Sequence, residues 1–210
     1  MSRRGTSTLR DSDDRGVALV MVMMTITLLT AIGTALTLGT IAETAIAANY
    51  RDATETLYAA DAAVEFATQE VAAVADWSDV VSEPGRSAFV DGHAGGLRTA
   101  GSATLDLSEA TRDVNRVAAG APGPASRGWV LYAFGRFENL VPSGASRSPI
   151  YLIVWVADRS DTPEEDRSGP DALSILGQAY GARGSRRTVE AIVVKESAST
   201  IRTQSWREWR

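Results

Sequence analysis

Residues 17–41 read VALVMVMMTITLLTAIGTALTLGTI, 25 residues without a charged side chain or a histidine. The hydrocarbon core of a bilayer needs about 20 apolar residues, and 25 in a helix span roughly 37 Å. Six threonines interrupt the run, which a helix tolerates because a threonine hydroxyl bonds back to the preceding turn. The run exceeds the roughly 7–15-residue apolar core of a secretory signal. The sequence therefore predicts a transmembrane helix. Arg3, Arg4, Arg10 and Arg15 precede it and only Arg51 follows closely. The positive-inside rule counts these and largely ignores Asp11, Asp13 and Asp14. It keeps the N-terminus in the cytoplasm and puts residues after about 42 outside. The competing reading is cleavage after Ala45-Ile46-Ala47 to release a soluble domain, and the length of the run argues against it.

The 210 residues are 44% hydrophobic with a formal charge of −5. That suits one folded domain with an appendage, and no basic patch points to nucleic acid. The absence of cysteine removes disulfides, thiolate metal sites and thiol nucleophiles together. The single histidine, His93, lies in the glycine-rich stretch Asp91-Gly92-His93-Ala94-Gly95-Gly96. It reads as an ordinary loop residue, since a multi-histidine metal site needs more than one.

Arg15-Gly16-Val17-Ala18-Leu19-Val20 resembles the RG-(V/A/F)-AL-(V/I) start of type IV prepilins. Tyr58-Ala59-Ala60-Asp61-Ala62-Ala63 is similar to the family's AAEAG segment, with Asp61 in the acidic place. The resemblance implies that a prepilin peptidase cuts between Gly16 and Val17 and that the new amino group of Val17 is methylated. Major pilins carry glutamate at the fifth mature position, where this chain has Met21. That departure fits minor pilins of the PilX kind and the tip-associated pseudopilins of type II secretion. The expected partners are other pilins, the pilus assembly machinery, prepilin peptidase and the membrane. The expected location is the bacterial inner membrane, single-pass, with a periplasmic C-terminal domain.

Beyond the apolar run, Ile46, Tyr50, Ala53, Leu57, Ala60, Val64, Ala67, Val71 and Val74 recur at alternating spacings of four and three. This is one stripe of a helix, and Arg51, Asp52, Glu55, Glu65 and Glu70 fall off it. No glycine or proline occurs between Thr40 and Val81, so one nearly continuous helix is expected over 17–76. Its amphipathic half is expected to pack on the chain's own sheet, because a coiled coil prefers bulkier residues than the stripe's alanines. Within the apolar half, Ala31, Ala35 and Gly39 form a small-xxx-small ridge of the kind that lets helices approach closely in lipid.

Residues 77–128 are rich in Gly, Ser, Ala and Pro. They read as an irregular region, with a short strand at 104–107 and a helical turn from a Ser108 cap to about Val117. The resemblance assigns this stretch to the variable surface region of pilins. Four strand candidates follow at 129–138, 150–157, 173–180 and 187–196, with Val130, Tyr132 and Phe134 expected on one side of the first. The fold class is α+β: a long N-terminal helix, transmembrane and then amphipathic, on an antiparallel sheet of about four strands. The expected organisation is a cytoplasmic leader at 1–16, a transmembrane half-helix at 17–41 and an amphipathic half at 42–76. A variable region at 77–128, a sheet at 129–198 and a flexible or edge-packed tail at 199–210 follow.

No catalytic constellation appears, and neither an enzyme nor a cofactor is expected. No serine sits in a G-x-S-x-G elbow, and Gly181-Ala182-Arg183-Gly184 lacks the phosphate-loop pattern. Asp158, Asp161, Glu164, Glu165, Asp166 and Asp171 gather between two strands, and calcium takes six to eight oxygens. Their spacing does not match an EF-hand and Arg159 and Arg167 interrupt them, so a solvated charge run is the simpler reading and no metal site is assigned. The function expected is a minor type IV pilin in an initiation or tip complex. Alternatives are a type II secretion pseudopilin or a membrane-tethered binding module.

Overall fold

The computed structural model describes residues 10–101, 103–119, 127–140, 148–159, 171–197 and 200–209. The chain forms two compact units that divide between Ala48 and Asn49. Helix α1, Arg10–Ala72, contributes to both.

In the first unit the helix stands alone. Its large apolar side chains over 17–41 are 49–69% exposed. A surface apolar on all sides is not stable against water and calls for an apolar solvent. Thr25, Thr27, Thr30, Thr34, Thr37 and Thr40 each donate to the carbonyl four residues earlier, at 2.8–3.0 Å. No hydroxyl is left to be desolvated unpaired, as the sequence implied.

The second unit is α+β. Strands β3 (Arg127–Arg136), β4 (Tyr151–Asp158), β5 (Ala172–Tyr180), β6 (Arg186–Ser197) and β7 (Thr200–Trp209) form an antiparallel meander in sequence order. A separate hairpin, β1 (Leu97–Ala100) with β2 (Ala103–Asp106), leads into α3 (Leu107–Ala119). Two short helices, α2 (Ser78–Ser82) and α4 (Phe137–Leu140), complete the set.

The amphipathic part of α1 lies on the front face of the sheet. Ala60, Val64, Ala67 and Val71, all buried, pack in one cluster with Leu152, Val154 and Val156 of β4, Ile175 of β5 and Val189 and Val193 of β6. The stripe engages only from its middle onward: Ile46 and Tyr50 are 68% and 75% exposed. Small residues bring helix and sheet close, and Gly177 of β5 marks the tightest point. A Cβ there would lie 2.6 Å from Val64 Cγ2 and 2.8 Å from the Ala60 carbonyl oxygen.

The back face is partly covered by α3. Leu107, Ala110 and Val114 pack with Tyr151, Ile153 and Trp155, and Trp155 Nε1 donates to Thr111 Oγ1 at 2.9 Å. Asn115 clips α3 to β3, accepting from Trp129 N at 2.6 Å and donating to Trp129 O at 3.0 Å. With both faces covered, all eight residues of β4 are buried. This is why that strand reads as an unbroken apolar run instead of alternating.

Several local expectations are corrected. The sheet has five strands: part of the stretch expected as a tail is β7, which pairs with β6 along its length. The described residues between α1 and the sheet also hold more structure than expected. The cap of α3 is Asp106, whose Oδ1 accepts from Ser108 N at 2.8 Å and Glu109 N at 3.1 Å; Ser108 lies inside the helix. Helix α1 ends at Ala72 instead of about 76. Trp77 folds back so that its Nε1 donates to the Val71 carbonyl at 3.0 Å, which also accepts from Val74 N at 3.1 Å. In β3 a register shift between Leu131 and Ala133 breaks the alternation. Val130 and Tyr132 face α1, whereas Phe134 joins Trp129 and Leu131 on the back, because one inserted residue reverses every later side chain.

The two sheet edges differ. Along β3, residues 85–91 supply their own closure: Gly85 N bonds Leu131 O at 2.8 Å, and Phe134 N bonds Phe89 O at 3.0 Å. Glu70 of α1 pins that segment by accepting from Ser87 Oγ and from Ala88 N. Along β7 the outer edge pairs with no strand among the described residues. A register shift at Ile192/Val193 and the charges of Arg202 and Arg207 interrupt it, the usual protection of an edge.

Candidate functional site

The residues singled out from the sequence fall in the first unit. Gly16 and Val17 are both helical, and Val17 is 56% exposed. A Cβ at Gly16 would meet nothing within 4 Å. Met21, in the position where major pilins carry an acid, is 64% exposed. Ala31 and Ala35 line a shallow depression with Thr27, Thr30, Thr34 and Leu38 on its rim. Gly39 lies one turn further along the same side, again with open space around it. Small side chains on a helix with larger neighbours leave a dent into which another helix fits. The span from Gly16 is long and apolar enough to cross a membrane, with a mean hydropathy of 2.2 over its best window.

The second resemblance segment serves packing. Ala59, Ala60 and Ala63 are buried against the sheet, whereas Tyr58 is 69% exposed. Asp61 accepts from Trp206 Nε1 of β7 at 2.8 Å, so the acidic position of the family segment ties helix to edge strand. The sequence hid this contact, because its two partners stand 145 residues apart.

Elsewhere polar groups mostly fasten loops. Asp91 accepts from Arg98 Nε at 2.9 Å and from Tyr151 OH at 3.0 Å. Arg98 also reaches the His93 carbonyl at 2.8 Å and lies over the Phe134 ring at 5.7 Å. His93 is exposed in that loop. Burial pushes the Tyr151 phenol up, with its bond to Asp91 adding to the effect. Burial likewise raises Tyr132, helped by the Glu70 carboxylate. On the back face, Glu190 is 1% exposed. Its Oε2 accepts from Arg207 Nε at 2.5 Å and Trp209 Nε1 at 2.9 Å. Among the described residues no group of three or more His, Asp or Glu side chains is placed to hold a metal ion. Of the acidic cluster between β4 and β5, Asp161, Glu164, Glu165 and Asp166 lie outside the described residues.

A cleft of about 940 Å³ opens between α1 at Tyr50, Ala53, Thr54 and Leu57, α3, the hairpin, and the ends of β5, β6 and β7. Asp106, Glu109 and Asp113 line it, with Leu176 and Trp209 among its apolar residues. The four-residue spacing of Glu109 and Asp113 was visible in the sequence. What they face was not.

Residues 15–65 match the PilX N-terminal family. No curated protein and no solved structure matches the chain. The match over residues 15–65 supports a PilX-like type IV pilin, and the α+β fold with its long N-terminal apolar helix is consistent with a pilin.

Proposed function

We propose that this protein is a minor type IV pilin that takes part in pilus assembly, in an initiation or tip complex, through packing of its N-terminal helix against other subunits. The observation that carries this reading is the helix over 17–41, uncharged and exposed on every side. Such a helix exchanges lipid for the helices of sister subunits without exposing apolar surface to water. Residues 1–16 act as a cytoplasmic leader, 17–41 cross the inner membrane, and 42–76 carry the chain to a periplasmic domain. In that domain the stretch between α1 and β3 supplies the variable surface, and β3 to β7 form the sheet. Prepilin peptidase removes the leader between Gly16 and Val17, and Val17 is methylated. Ala31, Ala35 and Gly39 present the helix-packing ridge. Met21 supports a place at the tip: it offers no carboxylate to the amino terminus of an adjacent subunit. The mechanism is physical, with no catalytic step.

N-terminal mass spectrometry of the mature protein tests this. A start at methylated Val17 is expected; a start at Met1 or near Ala48 refutes it. Abundance equal to that of the major subunit in purified filaments contradicts the tip position.

A further inference from the structure

We infer that the cleft between α1, α3 and the ends of β5, β6 and β7 is a docking site for a cationic, amphipathic segment of a partner protein. Helix α3 buries Leu107, Ala110 and Val114 over β4 and stops short of the outer strands. Past its edge the cleft is floored by Leu176 and bounded by Trp209. On the lip, Val117 of α3 is 57% exposed. With Ala53 and Leu57 of α1, these groups supply the apolar part of the cleft's lining.

The charge on its wall states what the occupant carries. Asp106, Glu109 and Asp113 all line the cleft. Glu109 and Asp113 stand four apart on α3, hence on one side of it. Asp106 caps the helix N-terminus, and Asp113 pairs with the exposed Arg116 at 2.8 Å, a pair of the weak kind that an incoming cation displaces. Of the two lining arginines, Arg187 is neutralised by Glu208 at 3.0 Å. Arg186 sits beside Tyr180. Behind Trp209 lies the carboxylate of Glu190, whose Oε1 has no hydrogen-bond partner among the described residues. The cleft thus pairs an apolar floor with an anionic wall. A segment bearing arginine or lysine beside leucine-like residues matches both, whereas an acidic segment meets like charge.

The test uses the full chain in nonionic detergent micelles, with empty micelles as the blank. The probe is a fluorescent peptide of about 18 residues made of leucine and lysine in helical alternation, compared with its leucine–glutamate counterpart. Saturable one-to-one binding of the lysine peptide is expected. Glu109→Arg with Asp113→Arg is expected to weaken it about tenfold or more. Glu65→Arg with Glu83→Arg makes the same change in net charge away from the cleft and is expected to leave it within about twofold. Glu109→Gln with Asp113→Asn, which keeps the size of both side chains, is expected to fall between the two. Circular dichroism checks that each variant keeps its fold. Absence of binding, equal loss in both charge-reversed variants, or equal binding of the glutamate peptide overturns the proposal. So does concentration-dependent self-association that the cleft variant abolishes, because it places a second copy in the cleft.

Discussion

Replacing Gly177 with alanine tests the contact that seats α1 on the sheet. The glycine lies on β5 between Val154 of β4 and Val189 of β6, facing the helix. An added Cβ would stand 2.6 Å from Val64 Cγ2 and 2.8 Å from the Ala60 carbonyl oxygen. Carbon atoms at rest sit roughly 3.5–4.0 Å apart, so the overlap is about 1 Å. Val64 is β-branched and in a helix has essentially one rotamer, so it does not turn aside. The Ala60 oxygen belongs to the helix backbone and moves only with it. The helix must therefore lift, loosening the line Ala60, Val64, Ala67 and Val71. Overpacking of this kind costs about 1–3 kcal/mol, and the backbone clash puts Gly177→Ala near the upper end. For a domain of this size that is a fall in Tm of about 4–10 °C. Urea and thermal unfolding of the full chain in nonionic micelles, followed by tryptophan fluorescence, measures it, since Trp155 is fully buried. Adding Val64→Ala relieves one of the two clashes. The double variant is thus expected to be more stable than the sum of the single effects by about 0.5 kcal/mol or more. A Gly177→Ala protein within about 0.5 kcal/mol of the parent, or strict additivity with Val64→Ala, would refute the packing argument.

Two further outcomes follow from buried polar groups. Tyr132 and Tyr151 have folded pKa values raised above their unfolded value near 10. Their contribution is therefore fully present below about pH 10 and is lost as pH rises toward the folded values. Tyr132→Phe is expected to make the alkaline fall in the urea midpoint shallower by up to one proton, about 1.4 kcal/mol per pH unit; an unchanged slope rejects the assignment. Arg207→Ala is expected to cost about 1–2 kcal/mol, discounted because the arginine is itself exposed, since it strips the buried Glu190 carboxylate of its ionic partner. Arg202→Ala, which breaks an exposed pair with Glu196, is expected to cost under about 0.5 kcal/mol and nothing at high salt. Unfolding at two salt concentrations separates them, and equal effects contradict the difference in burial.

Much of this molecule is legible along the chain because the physics involved is local. Twenty-five uncharged residues dictate an apolar helix whatever follows, and the threonines can answer their own hydrogen bonds one turn back. The alternation of three and four in 53–71 marks the buried side of α1 because a helix repeats every 3.6 residues. The apolar run of β4 announces a central strand. Even so, the start of the stripe at Ile46 and Tyr50 is exposed, since periodicity says which side faces inward but not where the sheet begins. The strand β7 escaped notice because an edge strand carrying Arg202, Arg207 and Glu208 lacks the apolar signature of an inner one. Phe134 changed face because a bulge is an insertion relative to a neighbour, which one strand alone cannot reveal. The acidic wall of the cleft needed α3 laid across β4, and the pairing of Asp61 with Trp206 needed the two ends of the domain brought together. Sequence alone thus determined the apolar rod and the α+β pattern, because those depend on neighbours within a turn or two. Tertiary structure decided strand count, register, the Gly177 seat and the cleft, because each is a distance between residues that the chain itself holds far apart.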